Sequence, residues 1–154
     1  MNELEKEIFL TTANIALEAK WEREITGLAF ALLRFSGLDP FNGYFIKSGI
    51  PINDYDSVGT AILIKTIKDK AKVLVIMFIL DKSELSRSSH QLEEFMQEKL
   101  YPNGILMARE YSTIFELDTE AYNTYVVEVA TLNNLTDIDK LLSTFKKMRV
   151  DERA

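Results

Sequence analysis

The chain has no cysteine and a single histidine, His90. Disulfides, thiolate zinc sites and a cysteine nucleophile are thereby excluded, and one chain cannot assemble a multi-histidine metal centre. The six glycines are scattered and none precedes a lysine–serine or lysine–threonine pair, so neither common glycine-rich phosphate loop is present. The G-x-S-x-G elbow of serine hydrolases is missing as well. Basic charge is in the minority: 18 lysines and arginines stand against 24 aspartates and glutamates, a net charge of −6. That balance excludes a broadly cationic surface for gripping nucleic acid and leaves only a local patch to consider. No apolar run approaches the ~20 residues that a transmembrane helix needs. The start, MNELEKEIF, lacks the basic-then-apolar order of a signal peptide. The expectation is a soluble, cytoplasmic protein with no membrane partner.

What is present is an ordinary globular composition, 154 residues with 47% apolar and 27% charged side chains. That length suits one domain with one sizeable core, read here as residues 1–148 with a frayed tail at 149–154. The most informative stretch is 59–80, GTAILIKTIKDKAKVLVIMFIL. It reads as two strands joined at Lys68-Asp69-Lys70, the second apolar at every position of 73–80. A short, β-branched, wholly apolar run fits a central strand covered on both faces.

The remaining elements can be read as layers around that hairpin. Residues 3–35 read as helix, either one long helix or two with a bend at Gly27. Leu4, Ile8, Ala16 and Ala19 begin an apolar stripe that Ile25, Leu28, Ala29, Leu32 and Leu33 continue. The part at 25–35 could alternatively be a strand; helix is preferred because Ala29, Leu32, Leu33 and Arg34 are good helix formers. Gly37 and Pro40 supply its stop. A short strand at 44–47 leads into a turn-rich segment at 48–57. Asp81 or Ser83 then caps a helix with Leu85, Leu92, Phe95, Met96 and Leu100 on its inner side. Residues 105–108 and 113–117 form a second hairpin, 124–132 a further strand, and 136–147 a closing helix with Ile138, Leu141, Leu142 and Phe145 inward. The predicted order is α(α)–β–β–β–α–β–β–β–α, a single α+β domain with a mainly antiparallel sheet and helices packed on it.

Candidate chemistry is sparse. His90 lies four residues before Glu94 on a predicted helix and reads as an exposed or rim histidine rather than a general base. Asp54 and Asp56 lie two apart before a strand, which puts both carboxylates on one side if the chain is extended. They are the candidates for a carboxylate metal site, against the plainer account of a solvated turn. Glu18-Ala19-Lys20 matches a Glu-x-Lys nuclease fragment but falls within a helical pattern. Lys65, Lys68, Lys70 and Lys72 make a small basic cluster that Asp69 dilutes, an ordinary solubility device at a sheet rim, with nucleic-acid contact there as the alternative that the overall charge does not indicate. Tyr44, Phe45, Tyr111, Tyr122 and Tyr125 are candidate partner anchors, with core packing the plainer account for Phe45 and Tyr125.

In this order and spacing the middle of the chain, 22–118, resembles the PD-(D/E)XK nuclease fold, in the version found at the N-terminus of type I restriction motor subunits. The resemblance implies a helix, three strands, a helix and another strand. It also implies an aspartate opening the second strand, Glu-x-Lys in the third, and in some members Gln-x-x-x-Tyr on the following helix. Asp54 or Asp56 precedes the strand at 61–67, and Gln91-x-x-x-Phe95 lies on the following helix. The third strand, VLVIMFIL, has neither acid nor lysine, and Phe95 lacks the tyrosine hydroxyl. A metal needs that carboxylate and the attacking water needs its activating group, so the resemblance implies a copy without nuclease activity. A second resemblance, of topology alone, is to type III secretion chaperones and YbjN-like domains. It runs from Phe115-Glu116-Leu117-Asp118 through 125–129 to 135–142, and implies a dimer that binds an extended partner peptide.

These readings converge on a non-catalytic protein-binding module without cofactor, a nuclease-like fold that has lost its metal site. Its partner is expected to be another protein or a second copy, through an apolar patch or a free sheet edge. Two alternatives stand beside it. One is a Mg²⁺-dependent DNA nuclease whose acids, Asp54, Asp56, Asp81 and Glu84 together with Gln91, converge from outside the usual motif. The other is a dimeric, chaperone-like peptide binder.

Overall fold

The computed structural model describes residues 1–52, 61–119 and 124–150. Four α-helices, α1 (Glu3–Leu17), α2 (Thr26–Ser36), α3 (Leu85–Lys99) and α4 (Ile138–Lys147), accompany six strands. The strands are β1 (Tyr44–Ile50), β2 (Ala61–Thr66), β3 (Lys72–Phe78), β4 (Asn103–Met107), β5 (Tyr111–Asp118) and β6 (Tyr125–Asn133). They form one sheet in sequence order, β1-β2-β3-β4-β5-β6. Every neighbouring pair is antiparallel except β3 and β4, which run parallel because α3 returns the chain between them. The predicted α+β class and element order are those of the protein.

The run centred on β3 is the core strand that its composition predicts. Val73, Leu74, Ile76 and Phe78 pack into one apolar cluster with α1, α2 and α4, and Val75, Met77 and Ile79 into a second with α3. After Lys72, the side chains of β3 thus feed two cores, and no position from Val73 to Phe78 is left for a polar side chain. The larger cluster also takes Ile62, Ile64, Ile105, Met107 and Ile114 from the sheet, with Leu141, Leu142 and Phe145 of α4. The smaller one is built on Leu92 and Met96 of α3 with Tyr101, Leu106 and Phe115. Three helices cover one face of the sheet and a single helix the other.

Several local expectations are corrected. The N-terminal helical region breaks at 18–25 rather than bending at Gly27, which lies in the first turn of α2. The break is fixed by Glu24, whose carboxylate accepts from the amides of Lys20 and Trp21 at 3.0 Å each, and by burial of Ala19 and Ile25. The inner stripe of α1 is Phe9, Ala13 and Ala16, while Leu4 is 64% exposed. Leu85 and Leu100, expected on the inner side of α3, are both exposed. Leu100 sits beyond the last turn in the left-handed region, φ 60°. The segment expected at 25–35 is helix from Thr26 on, as preferred over strand, with Ile25 at its cap. At the other end, the amide and carbonyl of Val150 meet the Tyr44 hydroxyl at 2.7 and 3.1 Å, so the chain is still fastened to β1 there.

Candidate functional site

Two features of the described surface stand out, and they adjoin. The first is a cleft of about 550 Å³ on the α3 face, beyond the carboxyl ends of the parallel strands β3 and β4. Its walls are the segments that leave those strands: Ile79, Leu80, Asp81, Lys82 and Leu85 from one, Ala108 to Tyr111 from the other. The crossover to α3 pulls the two exits apart, the general reason why open sheets bind at such points. The floor is a row across the sheet, Leu106, Thr113 and Thr131, set by the strand register, with the two threonine hydroxyls 3.3 Å apart.

The cleft is held by a few polar contacts. Arg109 donates to the carbonyls of Leu80 at 3.1 Å and Ala19 at 3.2 Å and pairs with the Asp81 carboxylate, joining the β3 exit, the β4–β5 turn and the break that follows α1. Asn134, 1% exposed, clamps the same turn: its side chain donates to the Ala108 carbonyl and its amide to that of Glu110, both at 2.8 Å. Lys82 lies 5.6 Å from the centroid of the Tyr111 ring, a cation–π arrangement across the cleft mouth. The remaining charges are Glu110 and Glu128, both exposed; among the described residues neither makes an ion pair. A floor of one leucine and two threonines with a charged rim is suited to holding a side chain or small ligand.

The second feature is β6, which forms the outer wall of the cleft and one edge of the sheet. Tyr125, Val127 and Val129 are 46%, 41% and 52% exposed. Val129 is the extra residue of a bulge, since Ala130 opposes Ile114 and Glu128 opposes Phe115. The Tyr125 hydroxyl donates to Asp118 at 2.9 Å, and that bond, with the carboxylate charge, holds its pKa above the ordinary tyrosine value. Across β5 and β6 the charged residues are Glu116, Asp118 and Glu128, with no lysine or arginine.

Of the residues singled out from sequence, Asp81 and Tyr111 meet in the cleft. Glu84 is exposed at the start of α3 and does not line it, and Gln91 is half-buried almost two turns further along that helix. Asp54, Asp56 and Tyr122 lie outside the described residues. Tyr44 is corrected from surface anchor to core residue: it is 1% exposed and its hydroxyl is used by Val150. Tyr125 is corrected in the opposite sense, from core to surface: it lies on the edge strand and is 46% exposed. Phe45 is half-buried. Among the described residues no three acidic or histidine side chains gather closely enough to hold a metal ion, and no helix is long and apolar enough to cross a membrane. His90 is exposed and pairs with Glu94 at 2.9 Å along α3. Lys72 of the basic cluster donates to the carbonyl of Lys99 at the end of α3, where the helix dipole favours a cation.

Glu128, Thr131 and Arg109 were not singled out from sequence. Only the register of β5 with β6 and the crossover between β3 and β4 bring them together. The signal that could have found them is the strand–helix–strand order itself, which places a cleft at the ends of the flanking strands. Compared with protein-family models, curated proteins and solved structures, the chain matches none.

Proposed function

We propose that the chain is a non-catalytic, cytoplasmic protein-binding module with a nuclease-like fold lacking its metal site, and that it takes an extended segment of another protein along β6. The observation that carries this reading is the edge itself. β6 has nine residues, among the described residues a strand neighbour on one side only, and three exposed apolar side chains. Its one charged residue is Glu128, and it contains neither lysine nor proline. Sheet edges are ordinarily blunted by such residues or by cover, because their free amides and carbonyls will pair with any extended chain. The bulge at Val129 is one blunting device, and it leaves regular backbone on either side of it. Strand addition recruits those groups for affinity and uses pockets beside alternate side chains for specificity.

The non-catalytic half of the proposal draws its support from β3. Element order supports it: α2, then β1, β2 and β3, then α3 and β4 follow the helix, three strands, helix and strand that the nuclease resemblance implies. In that order the third strand would carry the acid and lysine, and here it packs into both cores. Lys72 does open β3, but at the end away from the cleft, bound to the carbonyl of Lys99. Asp81, the acid at the other end, is paired with Arg109.

Two measurements test the proposal. Linear duplex DNA incubated with the protein and Mg²⁺ or Mn²⁺ is expected to remain intact; cleavage that disappears in Asp56→Ala or Asp81→Asn would establish the nuclease alternative instead. Selection from a displayed library of random twelve-residue peptides is expected to yield extended ligands whose binding moves the amide resonances of β6. Ligands that leave β6 unmoved sink the edge-binding reading.

A further inference from the structure

The open edge and the cleft share β6, and their adjacency constrains the partner's chemistry. On the α3 face of β6 the side chains pointing toward the cleft are Glu128 and Thr131. A strand added outside β6 sets its own same-face side chains about 4.5–5.5 Å from these, one opposite each. A side chain leaving the added strand beside Thr131 lies over the floor made by Thr131, Thr113 and Leu106 and within reach of the Glu128 carboxylate.

Charge decides which side chain suits that place. β5 and β6 together carry Glu116, Asp118 and Glu128 and no cation, and Glu110 is on the cleft rim. The two cations of the cleft are committed elsewhere: Arg109 to Asp81 and two carbonyls, Lys82 to the far wall over Tyr111. Glu128 is exposed, and among the described residues it has no ion-pair partner. A carboxylate in the partner would meet like charges along the edge, and a wholly apolar side chain would leave Glu128 unpaired. Lysine or arginine satisfies both demands, because its aliphatic stem covers apolar surface while its charged head reaches outward.

We propose that the occupant of the β6 edge is an extended basic segment of a partner protein, one of whose lysine or arginine side chains enters the cleft and pairs with Glu128. This inference rests on the edge-binding reading above and adds the identity of the side chain.

The test uses a host peptide of eight threonine- and valine-rich residues, capped at both ends, with lysine, norleucine or glutamate at a central position. Norleucine keeps the aliphatic stem and removes the ammonium group. Binding to the whole protein is followed by titration calorimetry and by the β6 amide resonances. The lysine peptide is expected to bind about three- to fivefold more tightly than the norleucine peptide at low salt, with the glutamate peptide weakest. The lysine advantage should shrink with added sodium chloride and vanish in Glu128→Gln. In Glu128→Lys the order of the lysine and glutamate peptides should invert. Equal binding of the lysine and norleucine peptides, with β6 perturbed by both, overturns the inference and leaves the edge-binding reading standing. Failure of all three peptides to perturb β6 overturns both. A concentration-dependent dimer whose β6 amides are protected without peptide assigns the edge to a second copy, and overturns the proposed occupant.

Discussion

Leu100 is the residue at which local chemistry and local geometry most clearly disagree. It closes α3 with φ 60°, a conformation that the Cβ of an L-residue crowds, and its side chain is 57% exposed and so recovers little by packing. Leu100→Gly removes the crowding and is predicted to stabilise the fold by about 0.5–1 kcal/mol, net of the extra freedom glycine has in the unfolded chain. Thermal unfolding should register this as a midpoint about 1–4 °C higher; an unchanged or lower midpoint would count against the strain. The position also shows why single residues were hard to place from sequence. Leu100 continues the apolar spacing of α3, and spacing does not reveal that the helix has already ended. Tyr44 and Tyr125 exchanged expected roles for a related reason. Both are tyrosines on predicted strands, and their difference lies in what covers the sheet: Tyr44 sits under the C-terminal segment that bonds its hydroxyl, and Tyr125 on an edge.

Among the elements, those whose composition leaves one solution were legible and those with two were not. The apolar run containing β3 can only be buried on both faces, and it is. α4 presents Leu141, Leu142 and Phe145 on one side with charge on the other, and its burial follows. α1 has apolar residues on two sides, Phe9, Ala13 and Ala16 within and Leu4, Leu10 and Ile15 without, so periodicity could not choose its phase. The interruption at 18–25 carries no glycine or proline; tertiary burial of Ala19 and Ile25 and the Glu24 cap impose it. β6 belongs to the same group, since its alternation predicts a strand but not an edge. Its exposed valines make an element-scale prediction. Val127→Lys combined with Val129→Lys places two blunting charges on the edge and touches no core residue. Thermal stability should stay within about 0.5 kcal/mol per substitution, while affinity for a β6-binding peptide falls at least tenfold. Retained affinity in a folded double variant would show that strand addition is not the mode of binding.

Across the whole molecule, the unequal covering of the sheet organises everything proposed. Among the described residues, three helices close one face and a single helix, α3, lies on the other, leaving the cleft where the chain departs from β3. The cleft draws on residues from Ile79 to Thr131, which explains why sequence reasoning named Asp81 and Tyr111 but not their neighbours. The catalytic alternatives named from sequence come together only in part. Asp81 lies in the cleft, Glu84 and Gln91 lie along α3, and Asp54 and Asp56 fall outside the described residues. Other exposed apolar side chains, Leu10 and Ile15 on α1 and Trp21 beyond its end, offer competing places for a protein partner. Amide hydrogen exchange distinguishes these places from β6 on the intact protein. With a selected peptide bound, the outward-facing amides of β6 are predicted to slow by at least tenfold while α1 is unchanged. Slowing confined to α1 and the segment around Trp21, with β6 exchanging as in the free protein, would contradict the account.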